Sequence, residues 1–351
     1  MMKLPALRGH VCLVAAFLCL LAPIATTALG QTVVATIPTS NPPGAVDVDP
    51  IAGRLYIPFQ NQILVANENK NQVIHTITVG LDLEAVAVDP LTSRLYAADP
   101  FQGLLYVIDT KTFATVATIT IPYARTVAVN TLTNRIYVSN SFYVFVIDGS
   151  TNQTLTLISL DGAHGLAINP MTNRIFVAQD VYPGAVAVIN GATNAIVASI
   201  PSGDDATFDV AVDYFRNRVY ATNDSSISVI DGSTNTLTTT IPDNGQPGGI
   251  AVDPVTRTIY VNNEVLDEVE VINAASNLPA GTVQVGTFPF LSVIDIYRGT
   301  LYVGDNGSIS DQGTFVGSGV SVLKLPSALS PVIAGLRPPA HIQRITGSKA
   351  Y

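Results

Sequence analysis

Glu84, Arg125 and His164 are the side chains of this sequence best suited to chemistry, and they stand 41 and 39 positions apart. A carboxylate, a permanently charged guanidinium and an imidazole that titrates near neutrality can do acid–base work or clamp a polar ligand. Such spacing cannot place three groups on one helix or strand. It acquires meaning only if the chain repeats with that period. The standard catalytic motifs are missing: no G-x-S-x-G elbow, no H-E-x-x-H, no EF-hand loop and no phosphate-cradling glycine loop. Of the four histidines, His10 lies in an N-terminal leader, His341 near the C-terminal end and His75 at the start of an outer strand, where solvation is expected. His164 remains.

The chain does repeat. Ala87-Val88-Asp89-Pro90-Leu91-Thr92-Ser93-Arg94-Leu95-Tyr96 returns as Ala251-Val252-Asp253-Pro254-Val255-Thr256-Arg257-Thr258-Ile259-Tyr260. The closing aromatic recurs at Tyr56, Tyr96, Tyr137, Phe176, Tyr220, Tyr260 and Tyr302, in steps of 40, 41, 39, 44, 40 and 42 residues. Seven copies of this length suit units of four strands. The fifth copy reads clearly. Residues 210–212 are an apolar inner strand, and 218–222 and 227–230 follow. Residues 236–241 alternate as an outer strand with a wet face. The turn Asp or Asn accepts backbone N–H bonds. Arg54, Arg94, Arg135, Arg174 and Arg218, each two residues before the aromatic, are read as staples to turn carboxylates of the same or next unit rather than as an anion site.

The expected fold class is therefore all-β: a seven-bladed β-propeller of four-stranded antiparallel blades. The seventh copy has strands at 291–296, 300–304 and 320–323 but no fourth before Pro326. Thr32-Val33-Val34-Ala35-Thr36-Ile37-Pro38 resembles the outer strands at 115–119 and 238–242, so the N-terminal strand should complete blade 7 and remove an open edge. The propeller then occupies residues 31–325, with 326–351 a Pro-rich, loosely ordered tail.

Residues 1–30 read as a signal peptide: Lys3 and Arg8, an apolar run over 11–24, then Ala28-Leu29-Gly30. An uncleaved anchor is the alternative. The run is shorter than the roughly 20 residues that span a bilayer, so the mature chain should lack a transmembrane segment. Cys12 and Cys19 both fall in the leader, leaving no disulfide. The formal charge of −9 becomes −11 once Lys3 and Arg8 leave, which argues against nucleic acid as a partner.

The units ending Arg135-Ile136-Tyr137-Val138-Ser139-Asn140 and Thr258-Ile259-Tyr260-Val261-Asn262-Asn263 resemble the YVTN-type β-propeller repeat over residues 32–325. The absence of Trp separates the chain from WD-type blades, and no kelch double-glycine pattern occurs. The resemblance implies an exported propeller, secreted, periplasmic or at the cell surface. The same resemblance implies kinship with the lactonase-like and quinoprotein amine dehydrogenase β-chain-like propellers. Such proteins include hydrolases, lyases and binding proteins without known chemistry, and the repeat itself carries no catalytic motif.

Aligned on the turn Asp or Asn, the residue five places earlier enters each inner strand. That column reads Gly44, Glu84, Arg125, His164, Phe208, Gly248 and Phe290. Other columns are near-uniform and this one varies. The expected ligand-binding set is Glu84, Arg125, His164, Phe208 and Phe290, with His164 and Glu84 as candidate catalytic groups. A plain surface pair between Glu84 and Arg125 is the alternative. Loops after the second strands offer Asp99, Asp180 and Asp224 as metal candidates. The lactonase-like resemblance implies a divalent cation such as calcium there. Asn140, Asn223 and Asn262 are read as turn chemistry, and the insertion at 304–319 as a lid or a surface loop. The expected function is a monomeric binding scaffold whose central funnel presents a site to a protein or small-molecule ligand. The alternative is a funnel-sited hydrolase or lyase, with or without a metal.

Overall fold

The computed structural model describes residues 31–203, 206–243, 245–310 and 315–326. The expected leader, and the tail beyond Pro326, lie outside them. Every regular element among the described residues is a β-strand, as the Val-, Ile- and Thr-rich composition requires. Six antiparallel sheets of four or more strands follow one another. Sheet I holds Asp47–Asp49, Arg54–Phe59, Gln62–Asn67 and Gln72–Thr78, and sheet II Ala85–Asp89, Arg94–Asp99, Leu104–Asp109 and Thr115–Thr120. Sheet III runs seven strands from Thr126–Asn130 to Ala195–Pro201. Sheet IV holds Thr207–Asp213, Arg218–Asn223, Ser226–Asp231 and Thr236–Pro242. Sheet V holds Pro247–Asp253, Thr258–Asn263, Glu268–Asn273 and Leu278–Gln284. Sheet VI joins Pro289–Asp295, Thr300–Asp305 and Gly319–Lys324 to the N-terminal strand Thr32–Pro38.

Sheet III departs from the strand pattern expected of two separate copies. Its strand Gln153–Asn169 serves as the outer strand of one copy and the inner strand of the next. The connection stays extended because Ala163 pairs with Ser141 on one side and Gln179 on the other, with irregular register around it.

Inner strands such as Ala85–Asp89 and Thr126–Asn130 are buried along their whole length. Outer strands are wet except near one end, where Ile37, Ile77, Ile119, Ile158, Ile200, Ile241 and Val283 turn inward. The seven repeated aromatics are at most 1% exposed. They fill the layers between neighbouring sheets, where each ring removes about 150–250 Å² from water. The turns before the second strands share one left-handed residue: Gly53, Ser93, Asn134, Asn173, Asn217, Arg257 and Gly299. The turn carboxylates and amides behave as expected; Asp213 Oδ1, for example, accepts the N–H groups of Phe215 and Arg216, both at 3.1 Å.

Arginines then tie strands within one sheet or reach across to the next. Arg94 pairs across its own sheet with Asp109 at 2.7 Å, and Arg135 does so with Asp148. Arg54 and Arg218 reach carbonyls of the following sheet instead, Thr110 O at 2.6 Å and Ala274 O at 3.1 Å.

The expected pairing of the chain's beginning with its last copy is present: Thr32–Pro38 lies antiparallel to Gly319–Lys324, Thr32 opposite Lys324 and Pro38 opposite Gly319. Ile37, Val293, Tyr302 and Val320 of sheet VI share one buried cluster with Val46 and Leu55, which precede and belong to sheet I. Arg298 donates to Pro50 O at 3.0 Å and lies 2.7 Å from Asp295 and 3.2 Å from Glu68. Burial, aided by the Asp295 charge, pushes the Glu68 carboxyl up to about 9.

Candidate functional site

Three backbone carbonyls of the variable column take a hydrogen bond from the preceding segment. Glu84 O accepts from Ala45 N at 2.8 Å. His164 O accepts from the hydroxyls of Thr126 and Ser139 at 2.9 and 2.8 Å. Gly248 O accepts from Thr222 Oγ1 at 2.8 Å. Glycine is required at Gly44: a Cβ there would sit 2.3 Å from Glu84 O.

Arg125 Nε donates to Glu84 Oε1 at 2.8 Å, with both side chains partly exposed. In that setting the pair adds at most about 1 kcal/mol. Its value is to fix where a guanidinium and a carboxylate stand. His164 Nδ1 lies 3.0 Å from Phe208 O. A carbonyl can only accept, so Nδ1 carries the proton and Nε2 is left with a lone pair. Burial lowers the His164 pKa from 6.5; Arg125 lowers it further, while the bond to Phe208 and the charges of Asp180 and Glu84 oppose. The imidazole is therefore neutral at pH 7, and all three column residues act on one another electrostatically.

Glu84 and Phe290 also line a pocket of about 430 Å³, together with Gly44, Gln60, Asn306 and Phe315. That volume lies within the range of small-molecule sites. Its wall combines apolar faces with amide and carboxylate oxygens. Arg125, His164 and Phe208 are not among its lining residues, so the column divides into a pocket end and a His164 end, linked through the Glu84–Arg125 pair.

The metal candidates stand apart from one another. Both oxygens of buried Asp99 accept backbone N–H bonds, from Leu81 at 2.7 Å and Gln102 at 2.9 Å. Asp180 and Asp224 are exposed. Among the described residues no group of three or more His, Cys, Asp or Glu is gathered where a metal ion could be held. Asn140 and Asn223 donate to linker carbonyls, Pro122 O at 2.9 Å and Ser202 O at 3.3 Å. Glu264 is a further acid of the loops that follow the second strands. It lies close beside Gly248, and burial raises its pKa to about 7. The insertion of the last copy contains a small hairpin, Ser308–Ile309 with Phe315–Val316, and Phe315 brings it to the pocket.

No protein-family model matches the chain, and no curated protein matches its sequence. Solved structures do match, among them hydrazine synthase of Kuenenia stuttgartiensis. The TM-score is 0.73 at 15% identity, over 83% of this chain and 98% of that one. The fold is β-propeller-like. At that identity the likeness carries architecture and no chemistry. The propeller-like chain must be read for function from its own residues. No helix among the described residues is long and apolar enough to cross a membrane.

Proposed function

We propose that this chain is an exported, seven-bladed β-propeller of YVTN-repeat type that acts as a binding scaffold, with a small polar ligand at its central funnel. Sheet III, read as two four-stranded units sharing Gln153–Asn169, brings the number of units to seven. The N-terminal strand in sheet VI is the pairing such a ring needs to avoid an open edge. The observation that carries the ligand reading is the pocket where Gly44, Glu84 and Phe290 meet. These three share a repeat position yet differ in chemistry, so repetition alone does not account for them. The ligand fitted to this wall has an apolar face for Phe290 and donors for Glu84. A thermal-shift screen of small amines, polyols and aromatic amides tests it. Hits should lose their effect in Glu84→Ala and Phe290→Ala. Hits indifferent to both substitutions refute the site.

A second reading, hydrolysis or lysis at the funnel, rests on the His164 tautomer, since a neutral imidazole with a free Nε2 is the form a general base needs. A lactone and ester hydrolysis screen of the purified protein, with and without added calcium, distinguishes it. Turnover abolished by His164→Ala and Glu84→Ala supports catalysis. Turnover that survives both removes this site from the chemistry.

A further inference from the structure

Sheets IV and V handle one repeat position in opposite ways. In sheet IV the linker residue Ser202, the strand-end Asn223 and Ser228 form a closed neutral network. Asn223 Nδ2 donates to Ser202 O at 3.3 Å and to Ser228 Oγ at 3.0 Å, and Ser228 Oγ donates to Ser202 O. By register the same positions in sheet V are Asn263 and Glu270, because Ser228 faces Ala221 and Glu270 faces Val261. The linker residue is Asp243, which follows Ile241-Pro242 as Ser202 follows Ile200-Pro201. Two serine side chains have been replaced by two carboxylates.

Among the described residues those carboxylates have no counter-charge. Asp243 is 5% exposed; its Oδ1 accepts Gly245 N–H at 2.6 Å, while Oδ2 has no hydrogen-bond partner. The carboxyl of Glu270 lies within hydrogen-bonding reach of Asp243, and burial followed by that neighbour pushes its pKa above the ordinary range. Asn263 is 4% exposed, and its Oδ1 also lacks a partner. Its amide packs on Gly245: a Cβ there would meet Asn263 Cγ at 2.5 Å. Asn263 shares a sheet face with Glu270, since Val261, two residues earlier, is Glu270's partner. No Lys or Arg occurs between Arg218 and Arg257 or between Arg257 and Arg298. Among the described residues, neither acid takes part in an ion pair. Two buried acceptors, Asp243 Oδ2 and Asn263 Oδ1, thus have no hydrogen-bond partner among the described residues beside a half-buried Glu270 carboxyl, a costly arrangement unless something else satisfies them.

We infer that Asp243, Glu270 and the Asn263 side-chain oxygen form a calcium site that pins the linker between sheets IV and V. Hard oxygen ligands, one of them a neutral amide, suit calcium better than magnesium, which demands a tighter octahedron and gives up its waters reluctantly. Two carboxylates and one amide make a modest site, with affinity of about 10⁻⁴ M, as in extracellular modules. The role is structural and independent of the pocket at Glu84.

The test is a melting curve of the full protein after chelator treatment, with calcium chloride and then magnesium chloride added at pH about 8. At about a hundred times its Kd, calcium should raise Tm by on the order of 5 °C. Magnesium should do much less, and Glu270→Gln should abolish the calcium shift. Asp243→Ser with Glu270→Ser rebuilds the neutral network of sheet IV, so this double variant should fold without calcium and ignore it. Two results overturn the inference. One is a parent protein that calcium does not stabilise, which would leave the two carboxyls sharing a proton. The other is a calcium shift that persists in the double variant.

Discussion

Ile37→Ala asks how firmly the first strand belongs to the last sheet. Ile37 is 2% exposed and packs with Val46, Leu55, Val293, Tyr302 and Val320. Truncating such a side chain costs about 2–5 kcal/mol, from lost transfer and the cavity left behind. The internal control is Ile241→Ala. It occupies the same outer-strand position in sheet IV, is 4% exposed, and packs among Ile227, Ile250 and Ile259. If Thr32–Pro38 is an integral strand, both substitutions should lower stability by about 3 kcal/mol with an unchanged denaturant slope. Equilibrium urea denaturation of parent and variants gives both numbers. An Ile37→Ala variant within about 0.5 kcal/mol of the parent, beside a costly Ile241→Ala, would mean that the first strand frays before the rest unfolds, and the pairing would not hold the molecule shut.

Three further outcomes are expected. The His164 imidazole, followed by NMR, should titrate below 6.5. Arg125→Met should raise that midpoint and Glu84→Gln lower it further, since the two charges act in opposite directions; a midpoint indifferent to both would break the proposed link. Asp305 is buried, with a carboxyl raised to about 7 from 3.8. Its contribution is fully present below the unfolded value and lost as pH rises through 7. Asp305→Asn should therefore gain on the parent above pH about 7 and flatten the decline between pH about 4 and about 7, whereas parallel stability–pH curves would contradict the assignment. Arg257 is exposed and holds a left-handed φ of 59°. Arg257→Gly should relieve that strain and stabilise by about 0.5 kcal/mol net of glycine's added chain entropy; a destabilised variant would show that the guanidinium contributes more than the turn costs.

Local periodicity made much of the architecture legible. The aromatic from Tyr56 to Tyr302 marks the buried second strand because only a core position keeps one large ring in every copy. The likeness of residues 32–38 to other outer strands foretold their pairing with Gly319–Lys324. What the sequence withheld depends on contacts between distant segments. Nothing local says that Arg94 stays within its sheet while Arg54 crosses to the next, because both follow similar turns. The fusion of two copies through Gln153–Asn169 depends on how Ser141 and Gln179 flank Ala163. The Glu84–Arg125 contact followed from repeat geometry. The pocket did not, since Gln60, Asn306 and Phe315 reach it from loops of unequal length. Asp99 looked like a cation ligand, yet its place beside the Leu81 amide makes it a linker clasp.

The most direct test of the binding-scaffold reading is a crystallographic soak of parent crystals with a library of small polar fragments. Fragments should collect in the pocket beside Glu84 and Phe290, with a donor on the Glu84 carboxylate and an apolar face on the Phe290 ring. A library that leaves this pocket empty while occupying another part of the surface would contradict the account.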